Sequence, residues 1–178
     1  ELPLHFKNAL LATEDNRFFE HKGVDIQSYF RVFVKSILLQ QSSGGGSTLT
    51  QQLAKNLFGR QQYKMLSLPI QKIKEIVIAS RLETIYSKEE LLILYLNTVP
   101  FGENVFGIEA AANRYFNKTT QNLTIEEAAV LVGMLKATTN FNPRLYPKKS
   151  LERRNLVLKL MHTEGYLSAI HLDSLTKS

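Results

Sequence analysis

The sequence contains no cysteine, so no disulfide holds its fold together, and that count leaves the redox compartment open. No uninterrupted apolar run comes near the roughly 18–20 residues that a bilayer-crossing helix needs, and no signal peptide opens the chain. No segment alternates apolar and polar residues as a half-buried strand does, and there is no internal repeat or low-complexity tract. His5, His21, His162 and His171 have no metal-ligand spacing. Ser174-Leu175-Thr176-Lys177 fits the SxxK acyl-transfer pattern, but it has no SDN or KTG companion, so the match is accidental and no transpeptidase is expected in this chain.

What is present is the composition of an ordinary folded globule. The chain has 178 residues, 44% hydrophobic and 21% charged, enough for one domain with a real core and short for two. A net charge of +6 suggests an acidic partner: nucleic acid, an anionic membrane surface or a phosphorylated substrate. The abrupt start at Glu1-Leu2-Pro3 is that expected of a piece of something larger.

The pattern is helical nearly throughout, so the expected class is all-α. Asp25 reads as an N-cap for a helix carrying Ile26, Tyr29, Phe30, Phe33, Val34, Ile37 and Leu38 at three- and four-residue spacing, ended by Gly44-Gly45-Gly46. A second helix runs from Ser47 to Phe58, capped by Ser47 or Thr48 and stopped by Gly59. The basic stretch Arg60 to Lys64 reads as a loop, and Ser67 to Tyr86 as a longer helix with Pro69 in its first turn. Two capping boxes, Ser87 to Glu90 and Thr124 to Glu127, start further helices. Thr98 to Gly107 should be irregular, with helices following over Ile108 to Phe116, Lys148 to His162 and Leu167 to Leu175. In the helix from Lys148, the pattern turns Leu151, Leu156, Leu158 and Leu160 inward and makes Arg153 and Arg154 a solvated face, with packing or anionic-lipid contact as the alternative.

Three stretches carry candidate chemistry. Glu14-Asp15 follows the apolar run Ala9-Leu10-Leu11-Ala12, so Glu14 sits where a short helix ends, beside Phe18 and Phe19. Shielding from water and a like-charged neighbour both favour a carboxyl's protonated form, which is how a glutamate becomes a proton acceptor near neutral pH. A solvated helix end with a turn at His21-Lys22-Gly23 is the plain alternative. In Gly44 to Phe58, a glycine turn runs into hydroxyl residues at a helix start, an arrangement that leaves backbone N–H groups facing outward and attracts anions. Gln51, Gln52, Lys55 and Asn56 add amide and ammonium groups, and Gln52, Lys55 and Asn56 share a face. It is not a Walker loop, which would end in Gly-Lys-Ser/Thr after a strand. On the long helix Gln71, Glu75, Ala79, Leu82 and Tyr86 form one row that turns apolar, so Glu75 faces at least partly inward with Lys72 within pairing reach. Glu83 falls off that row and reads as solvated.

Five motifs follow in order: EDNRFFEHKG at 14–23, GGSTLTQQLAKN at 45–56, QKIKE at 71–75, SKEELLILYLNTVPFG at 87–102 and RRNLVL at 153–158. Together they resemble the peptidoglycan glycosyltransferase (transglycosylase) domain of class A penicillin-binding proteins and monofunctional cell-wall glycosyltransferases. The resemblance implies one such domain over residues 1–178, with a lysozyme-like large lobe and a smaller mobile lobe at the membrane; the anchor and any transpeptidase would lie outside this chain. It implies polymerisation of lipid II into glycan strands at the outer face of the cytoplasmic membrane of a bacterial envelope. In that family the first glutamate, here Glu14, is the general base. It takes the proton of the GlcNAc 4-hydroxyl of lipid II, which attacks C1 of the lipid-linked MurNAc of the growing strand; undecaprenyl pyrophosphate leaves and the anomeric centre inverts. Glu75 is then catalytic near the donor pyrophosphate, alone or through a substrate-bridged divalent cation (Mg or Mn), with no organic cofactor. Ser47, Thr48, Gln52, Lys55, Asn56 and Lys72 are implied to bind the donor, and Asp15 and His21 to position Glu14. Moenomycin-type inhibitors are expected to compete at the donor site, and an anionic membrane surface to be a partner.

The third motif of the family usually begins Arg-Lys, and here the arginine position is Gln71. An amide does not replace bidentate anion binding by a guanidinium, which leaves two alternatives: Lys74 compensates by position, or the donor is bound more weakly. The stretch Tyr29 to Leu39 is apolar on more than one face, with Arg31 and Lys35 interspersed, which fits a core helix and partial immersion in the lipid interface equally; the resemblance implies immersion for part of Phe30 to Leu39. Three other functions fit parts of the pattern: a lysozyme-like muramidase, a catalytically impaired scaffold of the cell-wall machinery, and a nucleic-acid-binding helical domain. The last is disfavoured because the aromatics sit on apolar faces and not among lysines and arginines.

Overall fold

The computed structural model describes residues 2–31, 46–59 and 67–177, and its regular elements are helices. They are α1 (Leu4–Glu14), α2 (Leu49–Phe58), α3 (Ser67–Ile85), α4 (Lys88–Thr98), α5 (Ile108–Phe116), α6 (Ile125–Met134), α7 (Pro147–Thr163) and α8 (Ala169–Lys177), with a 3-10 turn at Thr120–Asn122. Residues 26–31 are helical as well. The remainder of the helix expected to Leu38, the glycines 44 and 45, and the connection Arg60 to Lys64 lie outside the described residues. The all-α expectation holds: among the described residues the one strand-like contact is an isolated antiparallel bridge between Pro100 and Phe106. The chain divides into two compact units, Glu1–Asn16 with Val99–Ser178, and Arg17–Thr98.

In the first unit α1 packs on α6 and α7, and α7 also packs on α8. Helix α6 is buried nearly all round, through Ala128, Ala129, Leu131, Val132, Gly133 and Met134, as a central helix must be. Its start is fixed by the expected box: Thr124 accepts from the Glu127 N–H while Glu127 accepts from the Thr124 N–H. Helix α7 buries a different stripe from the one its leucines suggest. Ser150, Arg154, Val157, Leu158 and Met161 face in, whereas Leu151 and Leu156 are 46% and 43% exposed.

Arg154 is therefore not on a solvated face. Its guanidinium is accommodated because Nη2 donates to the Leu175 carbonyl at 3.2 Å and Nε to Asn155 Oδ1 at 3.0 Å, so packing and not lipid contact explains its place in the fifth motif. Arg153 lies over the Phe141 ring at 5.7 Å, and its stem packs so tightly on Gly133 that a Cβ there would stand 2.9 Å from Arg153 Cγ.

In the second unit α2, α3 and α4 pack on one another. Thr48 caps α2 in a capping box with Gln51, and Gly59 ends it with φ +63°. The Ser87 hydroxyl and N–H both engage Glu90, the second box read from the sequence. Asp25 caps the helical residues 26–31, accepting from the Ser28 N–H at 3.1 Å and the Ser28 hydroxyl at 2.6 Å. Burial works against the Asp25 carboxylate, but those two bonds and the Arg17 guanidinium at 3.0 Å outweigh it and hold its pKa below the ordinary value.

Glu83 corrects a second expectation. Its side chain is 5% exposed, not solvated: it accepts from the Thr50 hydroxyl at 2.6 Å and pairs with Lys88 at 2.7 Å. Lys88 is itself 4.4 Å above the Phe18 ring, so one carboxylate ties α2, α3 and α4 to the loop of the first motif. Glu83→Gln keeps the shape but leaves the Lys88 ammonium without its counter-charge. A loss of about 2–3 kcal/mol is expected, less than for a fully enclosed pair because Lys88 keeps some water. Denaturant unfolding of the two proteins measures it, and equal midpoints would refute the role.

Candidate active site

The site residues of the second unit gather around the Lys72 ammonium. Its three N–H bonds go to Ser47 Oγ at 2.9 Å, Gln51 Oε1 at 3.2 Å and Glu75 Oε2 at 3.1 Å, and it stands 5.9 Å from the Tyr29 ring centroid. Glu75 is buried, as its row on α3 requires, and the partner at i−3 is the expected one. A lysine has three donors, so this one is fully used by acceptors of the fold.

Gln51 is the residue that the sequence reading passed over in favour of its neighbour. It is fully buried, and its Oε1 takes three donors: Lys72 Nζ, the Tyr29 hydroxyl at 2.9 Å and the Thr48 N–H at 3.3 Å. That fixes the amide's orientation and leaves Nε2 buried with no acceptor among the described residues. The signal was available: Gln51 is the third residue after Thr48, the N3 position of a capping box.

The other expected residues divide. Thr48 is buried, and its hydroxyl is engaged in the cap and in donating to the Gly23 carbonyl at 2.7 Å, so it serves the junction of the first two motifs. Gln52 accepts from the buried Tyr95 hydroxyl at 3.1 Å. Lys55 is exposed and Asn56 half-buried. Lys55, Gln71, Lys74 and Glu75 line one cavity of about 250 Å³, and Ala54, Phe58, Gly59 and Ile78 complete its lining among the described residues. The cavity thus lies along the second half of α2, and not at the glycine-led start where the sequence pattern places an anion. His21 is buried, edge-on to Phe18 at 6.1 Å.

In the first unit Glu14 is the last residue of α1 and is half-buried; Asp15 caps the helix, its N–H donating to the Leu11 carbonyl at 3.1 Å, and is buried. Arg153 is a neighbour that sequence reasoning missed. Burial pushes its guanidinium below the ordinary arginine value and the Glu14 carboxylate draws it back up, so the two charges act on each other. Arginine remains charged throughout the working range, which makes it a fixed positive neighbour of the carboxylate.

Among the described residues no three His, Cys, Asp or Glu side chains lie together, so they form no cation cage of their own. A substrate-bridged divalent cation needs only one or two carboxylates beside the diphosphate, and Glu75, which lines the cavity and pairs with Lys72, is the residue that would hold it.

The sequence profile of the transglycosylase family matches residues 1–162. The chain belongs to that family. It is 45% identical over 169 residues to penicillin-binding protein 1F of Bacillus subtilis, covering 95% of the chain and 23% of that protein. It is 40% identical over 173 residues to penicillin-binding protein 1A of Escherichia coli, covering 97% of the chain and 20% of that protein. The crystal structure of penicillin-binding protein 1A from Haemophilus influenzae matches all of the chain over 16% of its own, at 26% identity and TM-score 0.58. The chain thus spans about a quarter or less of the length of these relatives, which are proteins of the cell envelope. Among the described residues no helix is long and apolar enough to cross a membrane.

Proposed function

We propose that the chain joins lipid II units into glycan strands. Glu14 takes the proton of the acceptor's GlcNAc 4-hydroxyl; the oxygen's electron pair forms the new bond to C1 of the lipid-linked MurNAc. The bond from C1 to the diphosphate breaks, its electron pair leaves on undecaprenyl pyrophosphate, and the anomeric centre inverts. A diphosphate is a good leaving group and needs little protonation, so one base suffices, whereas a glycosidase needs an acid for its alcohol as well.

The observation that carries this reading is the cavity in which two lysines and a glutamate stand beside an apolar wall of Ala54, Phe58 and Ile78. Such a place suits a diphosphate attached to a hydrocarbon chain, and positive charge there acts most strongly as the leaving group gains negative charge. Lys72, itself held by Ser47 and Gln51, donates to Glu75 beside it. No step is routed through a metal. Contact with an anionic membrane surface is part of the proposal, supported by the net charge of +6 and by exposed Ile26 and Phe30; the rest of the expected interfacial segment, from residue 32, lies outside the described residues. The location proposed is the outer face of the cytoplasmic membrane, and moenomycin-type inhibitors compete for the donor site.

Supplying purified lipid II and, separately, polymeric peptidoglycan tests the reading. Longer strands from the first and no change in the second are expected; shortened strands or anhydro ends from the second would indicate a muramidase, and inert lipid II an impaired scaffold. Gln71 lines the same cavity. Gln71→Arg is expected to tighten binding of a prenyl diphosphate about fivefold in an equilibrium titration, since a guanidinium adds bidentate anion contacts; unchanged or weaker affinity would count against it.

A further inference from the structure

We infer that Lys74, together with Lys55, binds the diphosphate of the donor, and that Lys72, the motif lysine, is a positioning residue that holds Glu75. The inference rests on the proposed lipid II reaction. Lys72 is within the third motif and was the expected anion contact, but each of its three N–H bonds is accepted by the fold, at Ser47, Gln51 and Glu75. Two of those acceptors, the Glu75 carboxylate and the Gln51 amide, are buried and tolerate the loss of a hydrogen bond badly, and the third, Ser47, is half-exposed. Lys72 also does not line the cavity.

Lys74 does. It is on α3 two residues further on, next to Glu75, and opens into the cavity with Lys55 from α2. Two ammonium groups from two helices match the two phosphates of a diphosphate better than one cation would. The apolar part of the wall, Ala54, Phe58 and Ile78, suits the first carbons of a prenyl chain. Gln71, at the position where the family usually has arginine, lines the same space with an uncharged amide, so the positive charge of the α3 wall comes from Lys74. The ammonium is a point charge that needs no fixed fork geometry, and from position 74 it serves in place of a guanidinium at 71.

The test is an equilibrium titration of the full chain with farnesyl diphosphate, and with inorganic pyrophosphate in a second arm, for wild type, Lys74→Gln and Lys74→Arg, alongside lipid II turnover. Lys74→Gln is expected to raise the Kd for farnesyl diphosphate about tenfold, the loss of one charge-assisted hydrogen bond, with Lys74→Arg staying within about threefold of wild type. The wild-type preference for farnesyl diphosphate over pyrophosphate should survive in Lys74→Gln, since the apolar wall is untouched. Lys74→Gln binding within twofold of wild type, in a wild type that polymerises lipid II, overturns the assignment and leaves the reaction standing. A wild type that neither binds farnesyl diphosphate nor uses lipid II overturns both. The side chain is exposed on the helix surface, and a thermal melt that matches wild type confirms that a changed Kd reports binding.

Discussion

Glu14→Gln should reduce lipid II polymerisation about 10³-fold while leaving the protein folded. The amide fits the space of the carboxylate at the end of α1 but does not accept the acceptor's proton, and the loss of a general base from a transfer reaction falls in the range of about 10²–10⁴. In barrier terms that is about 4 kcal/mol. The helix itself is held by Phe6, Ala9, Leu10, Leu11 and Ala12, none of which the change touches, so the fold should persist, with a lowered melting temperature from the loss of the charge beside Arg153. Binding of a prenyl diphosphate should also be retained, because the groups argued to take it belong to α2 and α3. Turnover of lipid II by the variant within threefold of wild type would remove Glu14 from the role of base, whatever the fate of the rest of the site.

The second large effect is on folding. Gly23 has φ +83°, and a Cβ built there would lie 2.9 Å from the Ala79 carbonyl carbon and 3.0 Å from the Ser80 nitrogen. Both are backbone atoms of α3, so no side-chain rotation relieves the overlap. Gly23→Ala therefore combines a left-handed conformation worth about 1–2 kcal/mol with an overpacking cost of about 1–3 kcal/mol. A total of about 2–5 kcal/mol is a large share of the roughly 5–15 kcal/mol that holds a domain folded. The Gly23 carbonyl also receives the Thr48 hydroxyl, so any shift of the loop disturbs the cap of α2 as well. Denaturant unfolding should show the loss, and a midpoint within 0.5 kcal/mol of wild type would mean that the loop and α3 are not so closely apposed.

Local signals in the chain named the elements well and their partners poorly. Asp25, Thr48, Ser87 and Thr124 cap helices because a short polar side chain before a periodic apolar run has a local use, and that use is readable without tertiary structure. The inward row Gln71, Glu75, Ala79 was readable for the same reason: helical period fixes which residues share a face. What period does not give is what comes to meet a face. Glu83 looked solvated because nothing on its own helix pairs with it; its partners, Thr50 and Lys88, arrive from α2 and α4. Arg154 looked solvated because it is an arginine, and is buried because the Leu175 carbonyl of another helix accepts from it.

At the candidate site the same limit applies. The motifs brought the right stretches to notice, but adjacent positions on a helix point about 100° apart. Gln51 rather than Gln52 reaches Lys72, and Lys74 rather than Lys72 reaches the cavity. Arg153 was legible only as part of a motif with no assigned task, and its proximity to Glu14 comes from the packing of α7 on α1. Thr48 shows the converse: a residue that the resemblance assigns to substrate has its hydroxyl engaged by the fold.

The most direct test of the account is the stoichiometry of the reaction with lipid II as sole substrate. Released undecaprenyl pyrophosphate and newly formed glycosidic bonds would be counted in the same sample, and the configuration at the joined MurNAc C1 read from the product. The account predicts one diphosphate released for each bond formed, with the anomeric centre inverted. Diphosphate released in step with free disaccharide, or a retained configuration, would contradict transfer to a sugar hydroxyl activated at Glu14.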